Sequence, residues 1–528
     1  MNTAEVLVES LEREGVECVF GIPGEETEAL LFALRDSEVT FVPTRHEQGA
    51  AFMADVHGRL TGTAGVCLST LGPGATNLLT GVADANLDKA PLVAITGQGG
   101  LERLHKESHQ ALDVVDMFEP VTKWNAQISD PDIVHESVRK AFKVAEYEKP
   151  GATHVELPED VASEECDVRP LDRRERVRRP DPDEPSIDAV RELLADADRP
   201  ICIAGNGAVR TDASAALRAL ASDYDLPVAA TYMGKGAVSD ADDHSLLTLD
   251  SGDHEEASDA IQSADLVVTV GYDIAEHDPA DWNPSGETTI VHLDSDPAEV
   301  YEHYNPDVEV VADIAAAVRE LNACCADLDA EFETDWYDDV RDHIVADVTP
   351  EINAGDPFTH RGVVTVLRDA MADDDVLVSD VGTHKMVIAQ NFRTFEPNTC
   401  IVSNGLASMG ISVPGGLAAD LAVDSNVVAA TGDGGFMMNA AEIETATRLD
   451  CGYTILLFRD DEYRLIADEQ TDHRGEHFGT EFSNPDFQTF AESFGIEAYR
   501  PDGWDELRDD LEAAVESDEM AVVEVVLG

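Results

Sequence analysis

The chain has 528 residues, with 108 Asp and Glu against 35 Lys and Arg, a formal charge of −73 and a pI near 4.2. Such a field repels phosphate backbones and anionic lipid heads, which argues against nucleic-acid or membrane-surface binding. A 43% hydrophobic content is enough for about three buried cores and excludes wholesale disorder.

The acid is spread along the whole chain, and only eight of the basic residues are Lys. An even acidic coat fits a protein dissolved in concentrated salt, where counterions screen its self-repulsion, so a halophilic source is expected. The first segment, MNTAEVLVESLEREG, reads as an amphipathic helix and lacks the basic and apolar regions of a signal peptide. No apolar run approaches the ~20 residues needed to span a bilayer. The cysteines (18, 67, 166, 202, 324, 325, 400 and 451) form no CxxC and read as buried hydrophobes of a reducing compartment. A cytoplasmic protein is expected.

Pro-rich, charged residues 166–186 and acid-rich residues 327–357 read as linkers, dividing the chain into 1–165, 185–330 and 355–528. Within each unit, short β-branched runs alternate with Gly-punctuated helical patterns. VCLST, PLVAITG, PICIAG, LVVTVG, TIVHLD, VLVSD, NVVAATG and YTILLF are such runs. Buried runs of this kind predict three α/β units, each a doubly wound parallel sheet covered on both faces.

The most informative stretch is NVVAATGDGGFMMNAAEIETATRLDCGYTILLFRDDEYRLI. It predicts a strand over 426–431, a helix over 438–449 and a second strand over 453–459. Asp433 and Asp460 then lie past the carboxyl ends of two strands of one βαβ unit, where open parallel sheets bind ligands. Gly432, Gly434 and Gly435 permit close backbone approach and expose N–H groups to a phosphate. Two carboxylates facing a diphosphate suit Mg2+. GDGG alone is an ordinary turn; the second acid 27 residues later makes the chemistry specific.

The segment Gly432–Asp460 resembles the signature of thiamine-diphosphate (ThDP) enzymes. That resemblance implies Mg2+ held by Asp433, Asp460 and the carbonyl of Glu462, with Tyr463 beside the cofactor. RDD (459–461) departs from the family's NN and leaves Arg459 unexplained. DVGTHKM (380–386) resembles the diphosphate-anchoring stretch, placing Gly382, Thr383 and His384 near the phosphates. SNGLASMG (403–410) resembles the supporting turn, with Leu406 at the cofactor and Met409 as the apolar wedge that bends it.

In the first third, RHEQGAAFMAD (45–55) resembles the helix of the family's glutamate, which implies Glu47 as the catalytic acid. Its carboxyl would bond the far pyrimidine nitrogen and so stabilise the imino tautomer that deprotonates C2. STLGPGATNLLTGVADANLDKAPLVAITGQ (69–98) looks like the acetolactate synthase group in particular and implies Pro73 and Asn77 at the pyrimidine. GIPGEE (21–26) implies Gly24 behind the ring. RLHKESHQALDVVDMFEPVTKWN (103–125) implies His109 and a substrate-side Gln110.

The resemblance covers essentially the whole chain. It implies decarboxylation of pyruvate and condensation of the hydroxyethyl carbanion with a second 2-oxo acid, giving 2-acetolactate. VGYDIAEHDPADWNP (270–284) is similar to the catabolic branch, so FAD is expected to be absent. Glu469 replaces a tryptophan of the biosynthetic branch, and the sequence leaves acetoin and branched-chain amino-acid roles open. AGNGAVR (204–210) lacks GxGxxG. Active sites are expected between subunits of a homodimer or homotetramer, Glu47 of one chain facing Asp433 of another. A small regulatory subunit is left open by the sequence, with nothing to indicate one. Lys106 and Lys123 are candidates for a less negative substrate funnel. Two rival readings are another ThDP-dependent 2-oxo acid decarboxylase or oxidase, and a catalytically silent ThDP-binding partner subunit, which Glu47 argues against.

Overall fold

The structure, a computed structural model, describes residues 1–250, 256–326 and 332–527. Its frame is three six-stranded parallel sheets. The first holds β1 (Cys18–Gly21), β2 (Thr40–Pro43), β3 (Gly65–Ser69), β4 (Leu92–Gln98), β5 (Trp124–Gln127) and β6 (Ala152–Pro158), in spatial order β2-β1-β3-β4-β6-β5. The second holds β7 (Pro200–Ala204), β8 (Val228–Ala230), β9 (Ser245–Thr248), β10 (Leu266–Val270), β11 (Thr289–Asp294) and β12 (Val308–Val311), ordered β12-β11-β10-β7-β8-β9. The third holds β13 (Val376–Ser379), β14 (Cys400–Val402), β15 (Val427–Gly432), β16 (Thr454–Arg459), β17 (Glu497–Tyr499) and β18 (Ala521–Val526), ordered β14-β13-β15-β16-β18-β17. The first and third sheets therefore share one topology. The second has the order of a dinucleotide-binding sheet.

Every residue of β4 and β6 is buried, as strands covered on both faces require. Alternate residues of each sheet enter different cores. Phe20, Cys67 and Ala94 face one, Val19, Val66 and Val93 the other. The core on the first of those faces also contains Val378, Ala429 and Leu457 of the third sheet. The joint is helix Glu47–Thr61 against helix Ser412–Asp420. Small residues make that approach close: a Cβ on Gly415 would stand 2.9 Å from Val56 Cγ2. Glu47 is thereby fixed to the third sheet's unit as firmly as to its own.

Two expectations are corrected. The helix expected over 438–449 begins at Asp433 and is split into Asp433–Asn439 and Glu442–Arg448. Residues 327–357 are not simply a linker, because Asp335–Val348 is helical. Its Tyr337, Ile344 and Val348, one helical face apart, are buried in the core beneath the second sheet. Residues 327–331 lie outside the described residues. No helix among the described residues is long and apolar enough to cross a membrane.

Candidate active site

In the third sheet the chain leaves β13 toward one edge and later returns to build β15 and β16 toward the other. Ligands of open parallel sheets bind at such a switch point. Gly382, Asp433 and Asp460 follow β13, β15 and β16 and line one open cleft of about 700 Å³. The turns around it are tied together by Asp380, a fully buried carboxylate. Its oxygens accept from Val381 N (2.7 Å), Gly410 N (2.8 Å) and Ser412 Oγ (3.1 Å). Gly435 packs against the same carboxylate, where a Cβ would lie 3.0 Å away.

Asp433 opens the helix Asp433–Asn439, and its carboxylate is buried at the cleft floor. Oδ2 accepts from Asp461 N and from Asn484 Nδ2, both at 2.8 Å, and Oδ1 from Gly434 N at 2.9 Å. Burial pushes its pKa up to about 6; the neighbouring Asp460 carboxylate pushes the same way, against the stabilising N–H of Asp461. Asp460 is also raised by burial, with Arg464 Nε on its Oδ2 at 3.1 Å. Two carboxylates sharing a cleft, both raised by burial, could hold a hard cation.

Across the cleft, helix Thr383–Asn391 starts with Thr383 Oγ1 and His384 Nε2, both buried without a hydrogen-bond partner among the described residues. Burial drives the His384 imidazole down to about 3, so the ring is neutral and can donate one N–H. Met409 also lines the cleft, its Cε near Gly434. Leu406 lies on the same turn, exposed. Tyr463 closes over Gly434, where a Cβ would meet the ring at 2.7 Å. The Glu462 side chain accepts from Thr480 Oγ1 at 2.8 Å and faces His477, so that it is the Glu462 main chain that could serve a metal beside Asp433 and Asp460.

Arg459 now has an explanation. It bonds Asp461 Oδ1 and the buried Glu524 Oε1, both at 3.0 Å, so the base at 459 balances the acid that replaces an amide at 461. Asp461 itself has φ +57°, a conformation that Asp and Asn tolerate.

The first-third residues gather elsewhere. Glu47 is the first residue of its helix and buried, and Asn77 Nδ2 donates to its Oε2 at 2.9 Å. Gly74 lies beside its other oxygen. Pro73 sits at the first position of helix Pro73–Leu87, where a missing N–H is harmless. Gly24 packs on Thr70, leaving no room for a Cβ. Gln110 and His109 are exposed, and the Gln110 carbonyl covers Gly72, whose φ of +51° suits glycine. None of these residues lines the cleft of Asp433. Of the funnel lysines, Lys106 lines an open pocket with Gln98 and Glu156. Lys123 is a correction: its ammonium donates to the carbonyls of Tyr147 and Lys149, outside both sets.

Sequence reasoning passed over three residues. Asp380 and Asn484 are described above. The third, Glu442, is fully buried and follows the GDGG helix. Its Oε1 accepts from Arg45 N and His46 N, each at 3.0 Å, which anchors the turn that delivers Glu47. These partners lie 397 and 396 residues away in the sequence, so no local signal pointed to it.

The donor set fits a metal-bound diphosphate: two acids for a cation, and two buried orphan groups for phosphate oxygens. Comparison with known proteins agrees. Residues 1–117 match the N-terminal TPP binding domain of thiamine pyrophosphate enzymes, 187–321 their central domain and 380–525 their C-terminal TPP binding domain. The fold and cleft are thus those of a thiamine pyrophosphate enzyme. The chain is 32% identical to an acetolactate synthase of Bacillus subtilis, over 99% of this chain and 92% of that protein. It is 33% identical to a probable acetolactate synthase large subunit of Methanocaldococcus jannaschii (100% and 92%). It is also 33% identical to a catabolic acetolactate synthase of Raoultella terrigena (99% and 94%). The chain belongs to the acetolactate synthase family.

Proposed function

We propose that the protein is a ThDP- and Mg2+-dependent acetolactate synthase that converts two pyruvates to 2-acetolactate and CO2 without FAD. The observation that carries this reading is the cleft in which Asp433 and Asp460 face the orphaned Thr383 and His384. Asp433, Asp460 and the Glu462 carbonyl would hold the cation, and Thr383 and His384 the diphosphate oxygens. When bound, ThDP supplies the carbon nucleophile and electron sink for 2-oxo acid decarboxylation. Glu47 would hold the activating proton on the oxygen that Asn77 does not engage. Gln110, exposed beside the GPG turn, would meet the substrate.

The separation of the Glu47 set from the Asp433 cleft supports a site completed by a second copy. Exposed Met437, Met438, Leu465, Ile466 and Phe478, on and after the cleft helices, supply apolar surface for such contact. We take the units as 1–165, 185–330 and 355–528, the location as cytoplasmic and the working medium as concentrated salt. The FAD-free reading rests on Glu276 in the second unit. Its buried carboxylate accepts from Asn206 N (3.0 Å to Oε2) and from Thr231 Oγ1, at the start of helix Asn206–Arg210, where a dinucleotide phosphate would sit. A carboxylate in that place supports the reading without FAD.

Pyruvate turnover in high salt with ThDP and Mg2+, with and without FAD, tests the reading by product analysis. Acetolactate formed equally in both arms is expected. Acetaldehyde or acetate as the main product would overturn the synthase assignment, and a strict FAD requirement would overturn its cofactor part.

A further inference from the structure

The three units meet around a second cavity, separate from the cofactor cleft, with about 1160 Å³ of open space. Its walls come from the ends of helices Glu47–Thr61 and Pro73–Leu87, residues 174–179, helix Asn206–Arg210 and the edge strand β14. In a chain of net charge −73, eight cationic side chains line this one space against three carboxylates, Asp88, Glu146 and Glu148. Four of the cations, Lys89, Lys143, Arg176 and Lys235, have no described carboxylate within 4 Å, although acids outnumber bases threefold in the sequence.

Lys235 is the most informative. It is only 4% exposed, and its ammonium has two neutral acceptors, Thr248 Oγ1 at 2.8 Å and Ala389 O at 3.2 Å. A buried cation without counter-charge is costly, and proteins normally pair it or neutralise it. On the same cavity Arg210 spends Nε on Glu148 at 2.7 Å and has Asp273 3.9 Å from Nη1, yet among the described residues neither buried Nη1 nor Nη2 has a hydrogen-bond acceptor; Arg179, paired through Nε with Asp313 at 3.2 Å, likewise has a buried Nη1 without one. Guanidinium forks without acceptors match the paired oxygens of a tetrahedral oxyanion.

We propose that this junction binds a phosphate-type oxyanion, free or as a small phosphate monoester, with Lys235 and Arg210 at its centre and Lys143 and Arg176 at its mouth. One wall residue, Asp88, also accepts from Asn404 N (3.1 Å) and Gly405 N, in the turn that carries Met409. An occupied junction therefore bears on the cofactor turn through a single side chain.

The test uses the enzyme saturated with ThDP and Mg2+, so that the diphosphate cleft is already filled. Inorganic phosphate and glycerol phosphate are titrated calorimetrically against KCl at matched ionic strength. One site per chain is expected, weakening as KCl rises, and the tighter of the two probes identifies the free or the esterified ligand. The exposed double variant Lys143→Ala/Arg176→Ala should weaken binding at least tenfold with phosphate-free pyruvate turnover unchanged, and Lys235→Met should abolish it. Neither probe binding beyond the KCl control, or binding unaltered in the double variant, overturns the proposal; the double variant decides alone if Lys235→Met does not fold.

Discussion

The first and third sheets follow the same strand order, 2-1-3-4-6-5, yet their switch points are used in opposite ways. After β13 and β15 the third sheet leaves a cleft with raised acids and two orphaned donors. After β1 and β3 the first sheet closes on itself: Gly24 lies against Thr70, whose hydroxyl donates to Glu26 at 2.8 Å. Its chemistry has moved to the helix after β2, where Glu47 is already partnered by Asn77. In the proposed function one frame would grip a ligand, and its twin would present an acid.

The sharpest way to break this division is to exchange the symptoms. Glu47→Gln keeps an oxygen for Asn77, so it should lower kcat about 10²- to 10⁴-fold while coenzyme affinity, followed by fluorescence titration, stays unchanged. Asp433→Ala should do the reverse, weakening Mg2+-dependent ThDP binding by at least the ~10- to 100-fold typical of lost metal support. If Glu47→Gln abolished binding and Asp433→Ala did not, grip and acid would have been assigned to the wrong sheets.

A smaller effect tests how the two frames communicate. Glu442 belongs to the third unit but satisfies the N–H groups of Arg45 and His46 in the first. Glu442→Ala leaves two part-buried donors unpaired, so urea denaturation should show a loss of about 1 kcal/mol. It should also lower kcat with little change in ThDP affinity, because only the delivery of Glu47 is loosened. Glu442→Gln retains an acceptor oxygen and should restore most of both. An Ala variant that denatures less easily while holding kcat would show that this bridge is incidental.

The parallel sheets were legible because buried strands such as LVAITGQ and VVAATG write their exposure directly into composition. The GDGG turn and Asp460 were legible because their spacing equals one βαβ turn. Asp380, Glu442 and Asn484 were not, since each acts on backbone N–H groups or a carboxylate from a distant segment and leaves no local pattern. The GDGG helix starts earlier than expected despite the low helix propensity of Gly434 and Gly435. The tertiary burial of Phe436 and the acid at the first turn override that preference. The helix at 335–348 was hidden by the acidic coat, which fills its solvent face so densely that Tyr337, Ile344 and Val348 no longer look periodic.

The smallest expected effect also sets one sheet against the other. The fifth strand in each spatial order, β6 and β18, carries a buried glutamate. Glu524 of β18 is held by two guanidinium groups, Arg459 Nη1 at 3.0 Å and Arg500 Nε at 2.8 Å. Glu156 of β6 is held only by amides, Gln98 Nε2 at 2.8 Å and Gln127 Nε2 at 2.5 Å. Burial therefore drives Glu156 up to about 7, against those two hydrogen bonds. Between the ordinary carboxylate range and 7 the folded chain holds a proton here that the unfolded chain has released. The stabilisation from this group is complete below that range and is lost as pH rises through about 7. Relative to Glu156→Gln, the parent protein should lose about 1 kcal/mol of stability between pH 6 and 7 in constant salt. Glu524→Gln should instead destabilise at neutral pH, because it takes the buried counter-charge from two guanidinium groups. A flat difference curve for Glu156→Gln would mean that the first sheet, like the third, has found a positive charge for its acid.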